Sequence, residues 1–274
     1  MNELGRERSR GDDWRGGSRV AFFGGSFDPP HLGHLAVARA ARVALRLDRV
    51  FFAPVGTQPL KREGSAASFA QRLAMTRLAI EGEPGFEVSL ADAPKPSGEH
   101  NLRPNYTIDT LEKLRATLAP ECTLFCLMGA DSFLGLRRWH RAAEVPFVAS
   151  LIVASRPGQP PGLMVGGLKA ALPPGLSIES APGGDETESD LEVRAFVLVN
   201  RAGDRAPFYV LPGLDVDISA SEIREGIRAK IHNAAADIIA TNSLLPPAVA
   251  GYIRSHGLYR GSGFRGQGSG GKGQ

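Results

Sequence analysis

Short, continuously apolar runs alternate with longer runs of helical spacing through the first half of the chain. Val20–Gly24 is a buried-strand pattern, and residues 31–45 follow with Leu32, Leu35, Val37, Ala38, Ala41 and Leu45 on one helical side. Val50–Pro54 is a second apolar strand. The next helical run carries Phe69, Leu73, Met75, Leu78 and Ile80, with Ser65 or Ser68 as its cap and Gly82 as its stop. Phe86–Leu90 reads as a short strand, 91–105 as a polar, proline-marked loop, and Ile108–Leu118 as a helix started by Thr107 with Leu111 and Leu114 inward. Thr123–Met128 is apolar throughout, a helical region with Phe133, Leu134, Leu136 and Trp139 follows, and Phe147–Ala154 reads as a strand. Strands apolar on both faces suit a parallel sheet covered on both sides. The alternation predicts a doubly wound α/β fold whose ligand loops sit at strand carboxyl ends, at 24–34, 55–61 and 129–131.

The second half is less regular. Residues 157–190 are rich in glycine and proline and carry the acidic run Asp185-Glu186-Thr187-Glu188, which reads as a surface excursion. Arg194–Val199 and Pro207–Leu211 read as strands, and Asp217-Ile218-Ser219 leads into a helix over Ala220–Lys230. A last pair of helices ends in LLPPAVAGYIRSHGLY at 244–259, with Pro247 suited to a first turn and Val249, Ile253 and His256 at helical spacing. The expected organisation is a disordered leader at 1–18, one domain over 19–259 with a surface insertion at 159–205, and a glycine-rich flexible tail at 260–274. The fold class expected is a Rossmann-like doubly wound parallel sheet with helices on both faces and a C-terminal helical region.

The chain has 274 residues, 42% hydrophobic and 22% charged, an ordinary globular balance with length enough for a full core. A formal charge of +3 suits an anionic substrate, but the basic residues form no stripe interleaved with aromatics, so nucleic acid is not indicated. No apolar run is long enough to span a membrane. The two cysteines, Cys122 and Cys126, fall on one strand face about 13 Å apart in extended chain, too far for a direct disulfide. They read as core residues of a cytoplasmic protein.

The chemistry concentrates in VAFFGGSFDPPHLGHL at 20–35. A strand passing through Gly24, Gly25 and Ser26 into a helix N-terminus is an anion cradle, because free N–H groups and the helix dipole both favour negative charge. His31 and His34 lie three apart on that helix, and their ring N–H groups can donate to a polyphosphate. Phe27 reads as a packing residue. Lys61, closing the loop after Val50–Pro54, can reach the same anion. Ser219 and Ser221 can cap a second helix N-terminus, with Glu222 available for a capping box and Arg224 one turn in. Asp131 offers a carboxylate to ribose hydroxyls, and Tyr106 and Trp139 are aromatics beside Thr107 and His140, suited to packing or to stacking on a planar ring.

These stretches carry a resemblance. GGSFDPPHLGHL and ISASEIR resemble the two signatures of the nucleotidyltransferases named for their paired histidines. PVGTQPLK at 54–61, NYTIDTLEKL at 105–114, GADSFLGLRRWH at 129–140, RPG at 156–158 and the 244–259 stretch resemble the bacterial nicotinate-nucleotide adenylyltransferases. The resemblance implies adenylyl transfer from ATP to nicotinic acid mononucleotide by direct in-line attack, giving deamido-NAD and pyrophosphate. It implies ATP on Gly24, Gly25, Ser26, Phe27, His31, His34, Asp131, Ile218, Ser221 and Arg224, with His31, His34, Lys61 and Arg224 at the reacting phosphates. Thr57, Tyr106, Thr107, Trp139 and Arg156 would hold the mononucleotide, and Mg²⁺ would be held mainly by ATP phosphates and water, not by protein ligands. A homo-oligomer is compatible with it. Two departures stand out: Ser219-Ala220-Ser221 where the family has Ser-Ser-Thr, and Pro59-Leu60 where proline and histidine usually precede the lysine. The competing readings are an enzyme preferring the amide mononucleotide, a pantetheine-phosphate adenylyltransferase, and a non-catalytic nucleotide sensor.

Overall fold

Strands apolar on both faces build two cores, one on each side of the main sheet. In a computed structural model, residues 17–60, 64–97, 101–155, 167–181, 193–211, 218–229 and 243–260 are described. The strands are β1 (Arg19–Gly25), β2 (Arg49–Pro54), β3 (Phe86–Val88), β4 (Lys95–Ser97), β5 (Asn101–Arg103), β6 (Thr123–Gly129), β7 (Ser150–Ala154), β8 (Ser177–Ser180), β9 (Arg194–Val199) and β10 (Arg205–Leu211). The helices, numbered in order, are α1 (Leu32–Ala44), α2 (Phe69–Ile80), α3 (Thr107–Thr117), α4 (Ala130–Leu134), α5 (Val145–Val148), α6 (Ala220–Ala229) and α7 (Pro247–Ser255). A further helical turn lies at 167–171.

The main sheet runs β3-β2-β1-β6-β7-β10-β9-β8. Its pairings are parallel from β3 through β10, and β9 and β8 then add antiparallel. Successive residues of β1 divide between the faces: Ala21 and Phe23 join the core under α1, α2 and α7, while Val20 and Phe22 join the core under α3, α4 and α5. Strand β6 divides the same way, with Phe125 and Leu127 against Leu124, Cys126 and Met128. The expected Rossmann-like doubly wound sheet is therefore present, with a mixed far edge. The chain leaves β1 toward β2 and β3, then returns to pair β6 on β1's other side. That reversal opens a crevice at the carboxyl ends of β1 and β6.

Several boundaries differ from expectation. Residues 147–154 are not one strand, because Pro146 in the first turn starts α5 and the strand begins at Ser150. The polar loop at 91–105 holds a small antiparallel hairpin, β4 against β5. Within 159–205, the described residues supply the 167–171 turn and strands β8 and β9. Residues 1–16 of the expected leader and 261–274 of the tail lie outside the described residues. Cys122 and Cys126 are free and buried, as read, and burial pushes the Cys126 thiol up to about 12.

Candidate active site

The end of β1 is shaped by close approach. A Cβ on Gly24 would lie 2.7 Å from the Phe22 ring, so the backbone passes there only without a side chain. Phe27 then takes a left-handed φ of 47°, which turns its ring inward against Phe23 and Phe52 at centroid distances of 5.5 and 5.6 Å. It is 1% exposed, so it packs rather than stacks on a ligand. The Asp28 carboxylate turns back to accept from Ala66 and Ala67 N–H at 2.6 and 3.1 Å and from the Tyr259 hydroxyl at 2.7 Å. Arg72, 2% exposed within α2, braces this turn from below. Its guanidinium donates to the carbonyls of Ser26, Val55 and Ala67 at 2.7, 2.8 and 3.3 Å, tying the loops after β1 and β2 to one helix.

His31 is the residue before α1, and His34 stands over it one turn on, with ring centroids 3.7 Å apart. The His31 backbone N–H donates to His34 Nδ1 at 3.2 Å, which assigns the proton of the neutral His34 ring to Nε2. His31 Nδ1 is buried without a hydrogen-bond partner among the described residues. A Cβ on residue 33 would meet that nitrogen at 3.0 Å, so Gly33 is what lets the His31 ring lie flat against the helix. Burial lowers His31 to about 4, and burial together with the His31 charge lowers His34 well below its ordinary value. Both rings are neutral hydrogen-bond donors at pH 7 in the absence of an anion. The helix end itself is less free than its sequence suggests: Leu32 N–H donates to the Leu244 carbonyl at 3.0 Å and His34 N–H to the His31 carbonyl at 3.0 Å. Fewer free N–H groups are therefore left at that helix end for an anion.

The imidazoles open onto a cleft of about 730 Å³. On one wall, Ser219 caps α6 by accepting from Ser221 N–H at 3.2 Å. Arg224 reaches from α6 to the Asp28 carbonyl at 2.7 Å and to Ser221 Oγ at 3.1 Å. Its guanidinium is thus locked to the same turn that carries His31, and Ile218 completes that wall. On the opposite wall stand Asp131 at the start of α4, then Tyr106, Thr107 and Trp139. The Tyr106 ring lies 4.4 Å from the ring of His140, which also lines the cleft.

Beneath Tyr106, Asn105 is 3% exposed and joins three backbone segments. Its Oδ1 accepts from Thr57 N–H at 3.0 Å, and its Nδ2 donates to the carbonyls of Asp92 and Ala93 at 3.1 and 3.0 Å. Thr110 Oγ1 donates to Asp92 Oδ1 at 2.8 Å, and burial raises the Asp92 carboxyl above its usual range. Gly56 fits under this loop only without a Cβ, which would sit 2.5 Å from Pro94 N.

One cleft thus brings together Gly24, Gly25, Ser26, Phe27, His31, His34, Asp131, Ile218, Ser221, Arg224, Tyr106, Thr107 and Trp139. Thr57 does not line it. Its backbone instead anchors the loop through Asn105. Lys61 and Arg156 lie outside the described residues. The sequence reading missed Arg72, Asn105, Tyr259 and the Asp28 carboxylate as the frame of the site. Among the described residues, no group of three or more His, Cys, Asp or Glu could hold a metal ion.

The pattern of the cytidylyltransferase-like family matches residues 22–226. A protein of Laribacter hongkongensis described as a probable nicotinate-nucleotide adenylyltransferase is 38% identical over 241 residues, 88% of this chain and 94% of the relative. One of Solibacter usitatus with the same description is 35% identical over 241 residues, 88% of this chain and 99% of the relative. The solved structure of Plasmodium falciparum nicotinic acid mononucleotide adenylyltransferase complexed with NaAD aligns with a TM-score of 0.57, at 15% identity, covering 88% of this chain and 97% of that one. That likeness shows the shared fold.

Proposed function

The chain belongs to the nicotinate-nucleotide adenylyltransferase branch of the cytidylyltransferase-like family, and from that premise we propose that its cleft joins ATP to nicotinic acid mononucleotide, giving deamido-NAD and pyrophosphate. The observation that carries this reading is the opposition of two walls at the sheet's reversal point: an imidazole pair following a turn that Arg224 ties down through the Asp28 carbonyl on one side, aromatics above a backbone frame on the other. The first suits a polyphosphate and the second a planar pyridine ring.

A 5′-phosphate oxygen of the mononucleotide attacks the α-phosphorus of ATP in line. The bond from that phosphorus to the bridging oxygen breaks, and its electron pair leaves with pyrophosphate. No covalent enzyme intermediate is required, so the protein contributes positioning and charge stabilisation. The neutral His31 and His34 rings donate to phosphate oxygens, and the charge that develops there raises their proton affinity during the step. Arg224 holds the phosphates from the α6 side, with Lys61 joining from the loop after β2. Gly24, Gly25 and Ser26 form the floor of the ATP side, Ile218 and Ser221 its edge, and Asp131 accepts from ribose hydroxyls. Trp139 stacks near the pyridine ring, Tyr106 and Thr107 frame its carboxylate, and Arg156 neutralises charge nearby.

Among the described residues no His, Cys, Asp and Glu cluster of metal-binding size occurs, and the Asp28 carboxylate accepts from Ala66, Ala67 and Tyr259. Mg²⁺ arriving with the nucleotide would keep phosphate and water ligands, supplying charge neutralisation. We place the enzyme in the cytoplasm as one unit over 19–259. No helix among the described residues is long and apolar enough to cross a membrane.

The test is pyrophosphate release from ATP with nicotinic acid mononucleotide, its amide, or phosphopantetheine as acceptor. Turnover is expected only with a mononucleotide, with higher kcat/KM for the acid. Preference for the amide or for phosphopantetheine refutes the substrate assignment.

A further inference from the structure

The turn that aims the imidazoles is pinned from the far end of the chain. The Tyr259 hydroxyl donates to Asp28 Oδ1 at 2.7 Å, across 231 positions of sequence. Both partners are buried, at 8% and 4% exposure. Three lines of geometry set this contact apart from ordinary packing. First, Tyr259 adopts a left-handed φ of 65°, and Phe27, the neighbour of Asp28, one of 47°. Non-glycine residues persist in that region only where surrounding contacts over-determine them. Second, the reversal that returns the Tyr259 ring to the loop is itself built. Helix α7 ends at Ser255, Gly257 takes φ 60°, and Leu258 N–H closes onto the Ile253 carbonyl at 3.0 Å. Third, the same aspartate accepts from Ala67 N–H at that same Oδ1, from Ala66 N–H at Oδ2 and from the Arg224 guanidinium at its backbone carbonyl. Burial, and then the Asp28 carboxylate, push the phenol's proton affinity far up, so the hydroxyl remains a donor throughout the working range. Tyr259 itself does not line the cleft.

We infer that Tyr259 is a positioning residue for adenylyl transfer: its hydroxyl, acting through Asp28, holds the 28–31 turn in the placement that sets the His31 and His34 rings against the reacting phosphates. The inference rests on the adenylyl-transfer reading. Without the hydroxyl, Asp28 keeps its two backbone donors and the turn survives, but with one anchor fewer. Ground-state ATP binding draws on Arg224 and the cleft walls and is little altered. The transition state requires donors placed to within about 0.5 Å, and it is the state that suffers.

The experiment compares wild type, Tyr259→Phe and Ile253→Val in the pyrophosphate assay, at a temperature well below each measured Tm. Ile253→Val trims the packing of α7 and leaves the hydroxyl in place. Tyr259→Phe should lower kcat about tenfold, with KM for ATP within twofold of wild type. Ile253→Val should lower Tm and leave kcat within twofold. Wild-type kcat in Tyr259→Phe, or loss of kcat in both variants in proportion to Tm, overturns the inference. Should Tyr259→Phe not accumulate as folded protein, Asp28→Asn weakens the same hydrogen bond from its acceptor side. It must then show the same kcat-selective loss, and wild-type kcat there also overturns the inference. A wild-type protein that releases no pyrophosphate with any acceptor refutes the function assignment, and this inference with it. Full activity in Tyr259→Phe refutes this inference alone.

Discussion

Replacing His31 with glutamine should flatten the acid side of the stability curve. Burial lowers the folded-state His31 to about 4 against an ordinary 6.5. Between those values the unfolded chain binds a proton that the folded chain excludes, so stability falls as pH drops below 6.5 and the loss is complete below about 4. At about 1.4 kcal/mol per pH unit, the full loss is about 3 kcal/mol, and about 2 kcal/mol of it is already present at pH 5. His34 is shifted in the same direction and adds to the slope in both proteins. Urea titrations at pH 5.0 and 7.5 isolate the His31 share. Wild type should lose about 2 kcal/mol more than His31→Gln between the two conditions, because the carboxylates and remaining histidines are common to both. A non-hydrolysable ATP analogue should reduce that excess, since phosphate beside the ring favours the imidazolium. Parallel pH dependences in the two proteins, with and without the analogue, would refute a buried neutral donor at position 31.

The frame under the loops yields two more predictions. Arg72→Met leaves the carbonyls of Ser26, Val55 and Ala67 without their buried donor, at about 1–3 kcal/mol each, while relief from burying a cation offsets part of that. A net loss of about 3 kcal/mol should lower Tm by about 6–12 °C in calorimetry, and an unchanged Tm would mean the two terms cancel. Gly56→Ala places a Cβ 2.5 Å from Pro94 N, a backbone atom that cannot rotate away. KM for the mononucleotide should rise severalfold with KM for ATP little changed, and equal shifts in both would contradict the assignment of that wall.

The β1–α1 joint was legible in the sequence because everything that makes it is local: an apolar run, two glycines, a stiff turn and histidines three apart. The walls of the cleft were legible as stretches at strand ends, which the doubly wound pattern carries to one edge. The braces were not. Arg72 sits at a position any surface arginine of α2 could occupy, and only the folded loops of Ser26 and Val55 give its guanidinium acceptors. Asn105 and Tyr259 act on partners 48 and 231 positions away, and no spacing rule reaches that far. The 91–105 hairpin was hidden because its strands are short and polar, so period-two alternation had nothing to show. The break at 147–149 was visible in principle, since Pro146 suits a helix's first turn, but the apolar run that follows masks it.

The Leu32-to-Leu244 hydrogen bond has a consequence for how the molecule comes into being. Strand β1 and helix α1 leave the ribosome long before Leu244, whose carbonyl takes the first N–H of α1, and Tyr259, whose phenol donates to Asp28. Contacts of such sequence separation carry a loop-closure cost that local contacts do not. A nascent or prematurely terminated chain ending before residue 244 carries the whole histidine signature with neither bond in place. In this architecture, the turn before α1 gains its two remote anchors only once residues 244–259 have been made.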